Sequence, residues 1–208
     1  KMLQGADLFF VSGMDLEVGW APVLIRSSRN QRIAPGQGGY LDASVAIAPI
    51  QQRSGDISRA MGDVHPRGNP HYMLDPSAAL LVGQALQSRL KALGADGRTV
   101  DAASLQFQNR LGGMLFGPGF SGVDILEFAR ITHTGGIKSY LALVRKKGQA
   151  PAGWMARFAT LSVRAFAVEH EQWDYFARAF GLSQAAALEP LPGISPTTKH
   201  LGEVVVRM

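Results

Sequence analysis

The sequence predicts an α/β fold in which parallel strands alternate with helices. A strand–helix–strand pattern runs through residues 166–168, 171–180 and 185–188. A second apolar strand, residues 7–11, is followed at once by a helical pattern. Because parallel strands need a crossover connection between them, usually a helix, both observations favour parallel sheets flanked by helices.

Capping and turn signals predict the elements of the first half in order. Ser12 is a candidate N-cap for a helix that runs to about residue 27. Residues 30–40 and 54–70 are rich in glycine and proline and are predicted to be loops. Between those loops and the next helix stands Asp75, which precedes a proline and is a strong N-cap candidate. Apolar residues then recur at helical spacing as far as Leu90.

The second half shows a long helical region interrupted by glycines. Helical periodicity covers residues 100–111, and paired glycines are expected to break residues 112–153 into short helical pieces. Gly181 is a candidate C-cap after the helix at 171–180. Ser195, followed by a proline, is expected to open the last helix.

Composition restricts the kind of site that this chain can build. The chain has 208 residues, of which 46% are hydrophobic, and a formal net charge of +5. It contains no cysteine, so a metal site has to use histidine and carboxylate ligands. The one dense basic cluster, residues 145–147, ends a predicted helix, where cations complement the helix dipole. No basic stripe with interleaved aromatic residues is present, so we expect no nucleic-acid partner.

Two histidines are the candidate metal ligands. His71 lies in the loop that enters the helix capped by Asp75, and His170 follows a predicted strand at the end where open α/β sheets bind ligands. Glu169 and Glu171 flank His170 and could fix the tautomer of its imidazole ring. By pattern alone, an ordinary polar loop residue is the better interpretation of His71, whereas for His170 an ordinary surface residue and a metal ligand are equally good interpretations.

The remaining histidines are not expected to bind metal. His65 lies in a proline- and glycine-rich loop and is at most an auxiliary ligand. His133 stands in a stretch rich in glycine and threonine, and His200 follows a predicted helix start, so both are expected to face solvent. Glu189 is followed by Pro190 and Pro192, which place it in a rigid connector, so it is not expected to be a catalytic acid.

Four segments together resemble motifs of the zinc/manganese ABC-transporter solute-binding proteins. Residues 6–17, Ala-Asp-Leu-Phe-Phe-Val-Ser-Gly-Met-Asp-Leu-Glu, resemble that family's strand-to-helix segment. Residues 69–76, Asn-Pro-His-Tyr-Met-Leu-Asp-Pro, resemble its second ligand motif, and residues 169–182 resemble its third. Residues 188–196 resemble the connector that follows. The order and spacing match over most of the chain.

The resemblance implies two α/β lobes with a metal ion clamped between them. It implies that residues 1–95 belong to the N-terminal lobe, 96–160 to a helical linker with an insertion, and 161–208 to the C-terminal lobe. It assigns His71 and His170 as metal ligands, with a further histidine upstream of Lys1 and a carboxylate downstream of Met208. The chain is therefore expected to be a fragment that lacks both ends of a longer protein.

The resemblance also implies a cargo, a partner and a location. The cargo is a divalent transition metal, with histidine ligands favouring zinc over manganese, although manganese stays open if the missing carboxylate makes the site mixed. The protein is expected to be a periplasmic or otherwise extracytoplasmic monomer that delivers this metal to an ABC-type membrane permease and associates peripherally with it.

Two other functions stay open at this point. A zinc hydrolase would need an open coordination position and a general base, for which Glu169 or Glu171 are candidates, but no hydrolase motif accompanies the histidines. An adhesion or partner-binding protein with a metal-stabilised scaffold is the third reading. The transport function implied by the resemblance is the one we favour, and we expect no enzymatic activity.

Overall fold

Two pairs of parallel strands and seven α-helices form the part of the chain that the structure, a computed structural model, describes: residues 1–52, 65–191 and 193–208. The predicted loop at residues 54–70 lies largely outside this part. The strands are β1 Phe9–Val11, β2 Tyr40–Asp42, β3 Ala165–Val168 and β4 Ser183–Ala187. The helices are α1 Ala21–Ser28, α2 Pro76–Ala92, α3 Gly97–Phe116, α4 Gly122–Lys146, α5 Gly153–Ala159, α6 Asp174–Phe180 and α7 Thr198–Arg207.

The strand pairing confirms the predicted α/β class. β1 pairs with β2 in parallel, with Phe9 opposite Tyr40, and β3 pairs with β4 in parallel, with Ala165 opposite Ser183. Helix α1 lies between the first two strands along the chain, and α6 lies between the second two. Each pair is therefore a strand–helix–strand unit, which is the connection that parallel pairing requires.

Helix α1 begins later than predicted, and Ser12 is not its N-cap. The Glu17 carboxylate instead accepts hydrogen bonds from the backbone N–H groups of Ser12 and Gly13, at 2.7 Å and 3.0 Å. This holds the segment after β1 in turns, with Met14 and Asp15 at φ values of 51° and 67°. A helix cannot pass through these left-handed conformations, so it starts only at Ala21.

Helix α2 begins where the sequence predicts. The side chain of Asp75 accepts a hydrogen bond from the N–H of Ser77 at 2.9 Å, and Pro76 occupies the first helical position. The carboxylate thereby satisfies an N–H group that has no partner inside the helix.

The prediction that glycines break residues 112–153 into short helical pieces is correct at Gly117, where α3 ends, and wrong at Gly112. Helix α3 continues through Gly112 to Phe116, and α4 spans Gly122–Lys146. A Cβ atom at Gly112 would lie 2.5 Å from a side-chain carbon of Ile125, so this glycine lets the two long helices approach closely. Gly136, at φ 68°, is non-helical and produces a kink within α4, as the prediction of a break there expects. At Gly112, tertiary packing thus overrides the low helix propensity of glycine.

The predicted strand–helix–strand pattern at residues 166–188 is confirmed, with shifted boundaries. Strand β3, helix α6 and strand β4 follow one another as expected, and α6 ends at Gly181 in the left-handed conformation. The last helix starts three residues after Ser195, because Thr197 is its N-cap and accepts a hydrogen bond from the N–H of His200. Ser195 is therefore not the cap that the sequence suggested.

One large apolar core joins the long helices to α6. Aromatic residues at its centre stack edge to face, among them Phe116, Phe128 and Tyr140, each fully buried. The core includes side chains from α2, α3, α4, α5 and α6 (Leu80, Leu115, Ile125, Val144, Met155 and Phe180). No helix in the described residues has the length and apolar character needed to cross a bilayer. The domain boundaries at residues 95/96 and 160/161 stay a prediction.

Candidate metal site

The structure brings the two predicted ligand histidines together. The imidazole rings of His71 and His170 lie with their centroids 5.9 Å apart and their planes at 64°. Both side chains are partly exposed. Two segments that are far apart in sequence therefore bring their imidazole rings into the same small region.

Parallel pairing of β3 with β4 determines what lies beside His170. The pairing continues past the last strand residues, because the N–H of Glu189 donates to the carbonyl of Glu169 at 2.7 Å. The carboxyl ends of adjacent parallel strands lie at the same edge of a sheet, so His170 and Glu189 emerge side by side. Their closest atoms, Nδ1 of His170 and Oε2 of Glu189, are 3.8 Å apart.

Glu189 is the carboxylate that sequence reasoning missed. Among the described residues it is the one at ion-pair distance from His170, rather than Glu169 or Glu171, which flank the histidine in sequence. Its Oε2 also accepts a hydrogen bond from the N–H of Gly193 at 2.9 Å, which anchors the side chain. The signal was present in the sequence, since His170 and Glu189 each follow the end of a neighbouring predicted strand.

A short 3₁₀ helix, His71–Leu74, carries the other histidine. The N–H of His71 donates to Oδ1 of Asn69 at 2.9 Å. The amide nitrogen of Asn69 in turn donates to Oε1 of Gln51 at 2.9 Å and to Oδ2 of Asp174 at 3.2 Å. The backbone of His71 is therefore tied, through one buried side chain, to the first turn of α6.

Tyr72 anchors the same 3₁₀ helix from the other side. Its side chain is fully buried, and its hydroxyl donates to the carbonyl of Ser12 at 2.6 Å. Its ring meets that of Tyr175 on α6 edge to face, with centroids 6.4 Å apart. Burial raises the pKa of Tyr72 above its ordinary value, and the nearby carboxylates of Asp42 and Glu17 raise it further.

His133 does not face solvent, contrary to the prediction. It lies inside α4 and is only 1% exposed. Its Nδ1 is 2.8 Å from Oδ2 of Asp75, and its ring stacks on Tyr175 with the planes within 6°. The N–H of Ala48 donates to Nε2 at 3.3 Å, so Nε2 carries no proton and Nδ1 donates to the carboxylate. This histidine is part of the buried framework and not a metal ligand.

The other two histidines lie away from the pair. His200 is half-buried rather than solvent-facing, because its ring donates from Nε2 to the carbonyl of Ala187 at 3.0 Å. The backbone carbonyl of His65 accepts from the N–H of Gly68 at 3.2 Å, in the loop that leads to Asn69. That His65 is not a metal ligand stays a prediction.

The arrangement fits a metal ion held by two imidazoles. Zinc–nitrogen distances of about 2.0–2.1 Å put two rings on the same ion with centroids roughly 5–6 Å apart, which matches the pair formed by His71 and His170. In the part of the chain that the structure describes, no group of three or more His, Asp or Glu side chains is arranged to hold a metal ion. Two imidazoles could supply half of the ligands of a four-coordinate site.

Comparison with solved structures identifies the fold. No family model and no curated protein matches this chain. The chain is similar to ZnuA, with a TM-score of 0.57 and 19% identity over 99% of this chain and 60% of that one. It is also similar to a ZnuA deletion mutant with zinc bound (TM-score 0.55, 18% identity, 99% of this chain and 58% of that one). The third is the solute-binding protein FpvC from Pseudomonas aeruginosa in complex with Mn²⁺ (TM-score 0.50, 20% identity, 100% and 58%).

The chain has the fold of the metal-binding solute-binding proteins. This confirms, at the level of the fold, the resemblance seen in the sequence motifs. The chain spans only about three fifths of the length of these structures, with 60% coverage of ZnuA. In this solute-binding fold, the His71 segment precedes α2 and His170 follows β3, and the two meet where α6 begins.

Proposed function

We propose that this chain is a solute-binding protein that holds a divalent transition metal ion between His71 and His170. The observation that carries the proposal is the 5.9 Å separation of the two imidazole rings, which come from distant segments of the chain. Each of these partly exposed histidines also has a polar neighbour from its own part of the fold. Asn69 holds the first from its backbone, and Glu189 lies beside the second.

Zinc is the cargo that this donor set favours. Two neutral imidazoles suit zinc, and among first-row divalent ions manganese binds most weakly to a given site. The similarity to ZnuA with zinc bound supports zinc, whereas FpvC in complex with Mn²⁺ keeps the related manganese function in view. A carboxylate beside His170, here Glu189, raises the basicity of the ligand if it bonds to Nδ1.

We infer that the metal is handed to an ABC-type permease outside the cytoplasm, by a monomer that touches the membrane only through that partner. The supporting observation is the fold shared with solute-binding proteins. A binding protein of this kind catalyses nothing, so the pair of histidines serves capture and release. Residues 1–95 would then contribute His71 from one lobe and residues 161–208 would contribute His170 from the other.

A competition titration of zinc and manganese against a chromophoric chelator tests the proposal. We expect zinc to bind more tightly than manganese, and the variants His71→Ala and His170→Ala each to lose about tenfold or more in zinc affinity. His200→Ala is the matched control, because it removes an imidazole that is bonded elsewhere in the fold. Equal zinc affinity in the wild type and both site variants would refute the proposed function.

A further inference from the structure

We propose that Asn69 is a positioning residue that sets the separation of the two metal-binding histidines. It does so by bridging the His71 segment to the first turn of α6, the helix that follows His170. The inference rests on the proposed function for its biological meaning. Its structural content, that one amide side chain fixes the distance between two imidazoles, can be tested without metal.

Asn69 uses both ends of its side-chain amide. The carbonyl oxygen accepts from the backbone N–H of His71 at 2.9 Å, and the nitrogen donates to Asp174 at 3.2 Å and to Gln51 at 2.9 Å. The residue is only 6% exposed, so water competes poorly for these bonds. One side chain thus connects the ligand segment, the first turn of α6 and the chain that leaves the first strand pair.

The geometry makes Asp174 the decisive partner. Asp174 is the first residue of α6 and lies four residues after His170, so a short stretch of chain connects it to that histidine. A bond from Asn69 to Asp174 therefore couples one histidine loop to the other by a short path through the molecule. Metal sites depend on such outer partners, since a ligand held by its neighbours loses less freedom when the ion binds.

The second link between the same elements is apolar and provides the contrast. Tyr72 meets Tyr175 edge to face at 6.4 Å, one residue further along each segment. These two rings hold the segments in contact even when the polar bridge is broken. Loss of the bridge should therefore alter the spacing of the histidines without separating the elements.

The sharpest experiment reverses the direction of the hydrogen bond between the side chains at positions 69 and 174. Asn69→Asp keeps an acceptor for the N–H of His71 but sets a carboxylate against that of Asp174, so the bridge is replaced by repulsion. Adding Asp174→Asn to this variant restores a donor and an acceptor in the opposite direction. Side-chain volume is nearly unchanged throughout, and Asp174→Asn alone is the matched control because its remaining oxygen still accepts from Asn69.

Three readouts are measured on the full 208-residue chain. The first is the nuclear Overhauser effect between carbon-bound ring protons of His71 and His170 in metal-free protein. The second is the affinity for zinc alone, and the third is the ligand-field spectrum of bound Co²⁺. We expect Asn69→Asp to lose the proton–proton effect, to bind zinc about tenfold more weakly and to shift the Co²⁺ spectrum, and the double variant to recover all three.

Each outcome decides the matter. If Asn69→Asp keeps the ring-proton effect and the zinc affinity of the wild type, Asn69 positions nothing. If the single variant is impaired and the double variant equally so, the effect does not pass through Asp174, and the proposal is overturned. If His71→Ala and His170→Ala bind zinc normally, the proposed function fails, while the ring-proton measurement still decides the role of Asn69.

Discussion

Replacing Asp75 by alanine should destabilise the fold more than removal of an ordinary helix cap. The Asp75 carboxylate is 1% exposed and accepts three hydrogen bonds. Two come from Ser77, from its N–H at 2.9 Å and its hydroxyl at 2.6 Å, and the third comes from Nδ1 of His133 at 2.8 Å. One side chain thus caps α2 and satisfies a buried imidazole on α4.

The magnitude follows from these contacts. Loss of an aspartate N-cap costs about 1 kcal/mol. The variant also leaves the Nδ1–H of His133 without its acceptor in a site that water does not reach, which costs about 1–3 kcal/mol. Moving the proton of His133 from Nδ1 to Nε2 would not avoid this cost, because the N–H of Ala48 already donates to Nε2. We therefore expect Asp75→Ala to lower the free energy of unfolding by roughly 2–4 kcal/mol.

Helix α3 offers the matched control. Asp96 caps it in the same way, accepting from the N–H of Thr99 at 2.9 Å and from its hydroxyl at 2.6 Å, but in an exposed position with no histidine attached. Urea unfolding followed by far-ultraviolet circular dichroism gives the free energy of unfolding for each variant. Asp96→Ala should lose clearly less than Asp75→Ala. Equal losses would show that the bond to His133 contributes nothing, and the reasoning would fail.

Three further predictions follow from other parts of the molecule. Zinc affinity should fall as the pH drops through the ordinary imidazole range, about 6.5, because protons compete with zinc for the ligand nitrogens. Equal zinc affinity at acidic and neutral pH in the chelator titration would contradict this. Gly136→Ala should destabilise the protein in urea unfolding, because Gly136 has φ 68° and its added Cβ would collide with the carbonyl of Arg178. Gly113→Ala, in open space on α3, should instead stabilise the protein by about 0.5–1 kcal/mol. If Gly113→Ala were the less stable of the two variants, the kink at Gly136 would be contradicted. Burial raises the pKa of Tyr72, Tyr140 and Tyr175 above the ordinary tyrosine value of 10.0. The stability that these neutral side chains contribute is therefore complete below pH 10 and falls as the pH rises toward the raised pKa, by at most about 1.4 kcal/mol per pH unit for each tyrosine. Urea unfolding at increasing pH measures this loss, and a flat profile above pH 10 would exclude their burial as neutral groups.

Local signals in the sequence predict local structure well. Asp75 followed by a proline places the start of α2, and Gly181 marks the end of α6. Both work because a cap depends on backbone groups within a few residues, whatever the rest of the chain does. The strand–helix–strand pattern around α6 succeeds for the same reason, since its apolar residues and its turn are close in sequence.

Two of the failures have long-range causes. His133 is buried by Asp75 and Tyr175, which are distant in sequence, so its glycine- and threonine-rich surroundings misleadingly suggest an exposed turn. Gly112 continues a helix because Ile125 packs closely against it from the next helix. A third failure is local: the Glu17 carboxylate accepts hydrogen bonds from the N–H groups of Ser12 and Gly13, which delays the start of α1 and leaves no mark on the helix periodicity.

The candidate site divides between these two kinds of information. His71 and His170 are predicted from motifs, whereas Glu189 emerges only when β4 is paired with β3 in the correct register. The two prolines that follow Glu189 suggested a rigid connector unsuited to catalysis. In the structure, the N–H of Gly193 donates to Oε2 of Glu189 at 2.9 Å and holds the carboxylate beside His170.

The contrast among the histidines explains why one kind of side chain has two roles in this protein. Both ring nitrogens of His133 are committed to protein partners, one donating to Asp75 and the other accepting from Ala48. A metal ion could bind this ring only by displacing one of those bonds inside a closed core. His71 and His170 are partly exposed, with their ring centroids 5.9 Å apart and their planes at 64°, and the backbone of His71 is fixed by the framework that His133 helps to build. The buried imidazole of His133 thus stabilises the framework, whereas the paired imidazoles of His71 and His170 remain partly exposed on it.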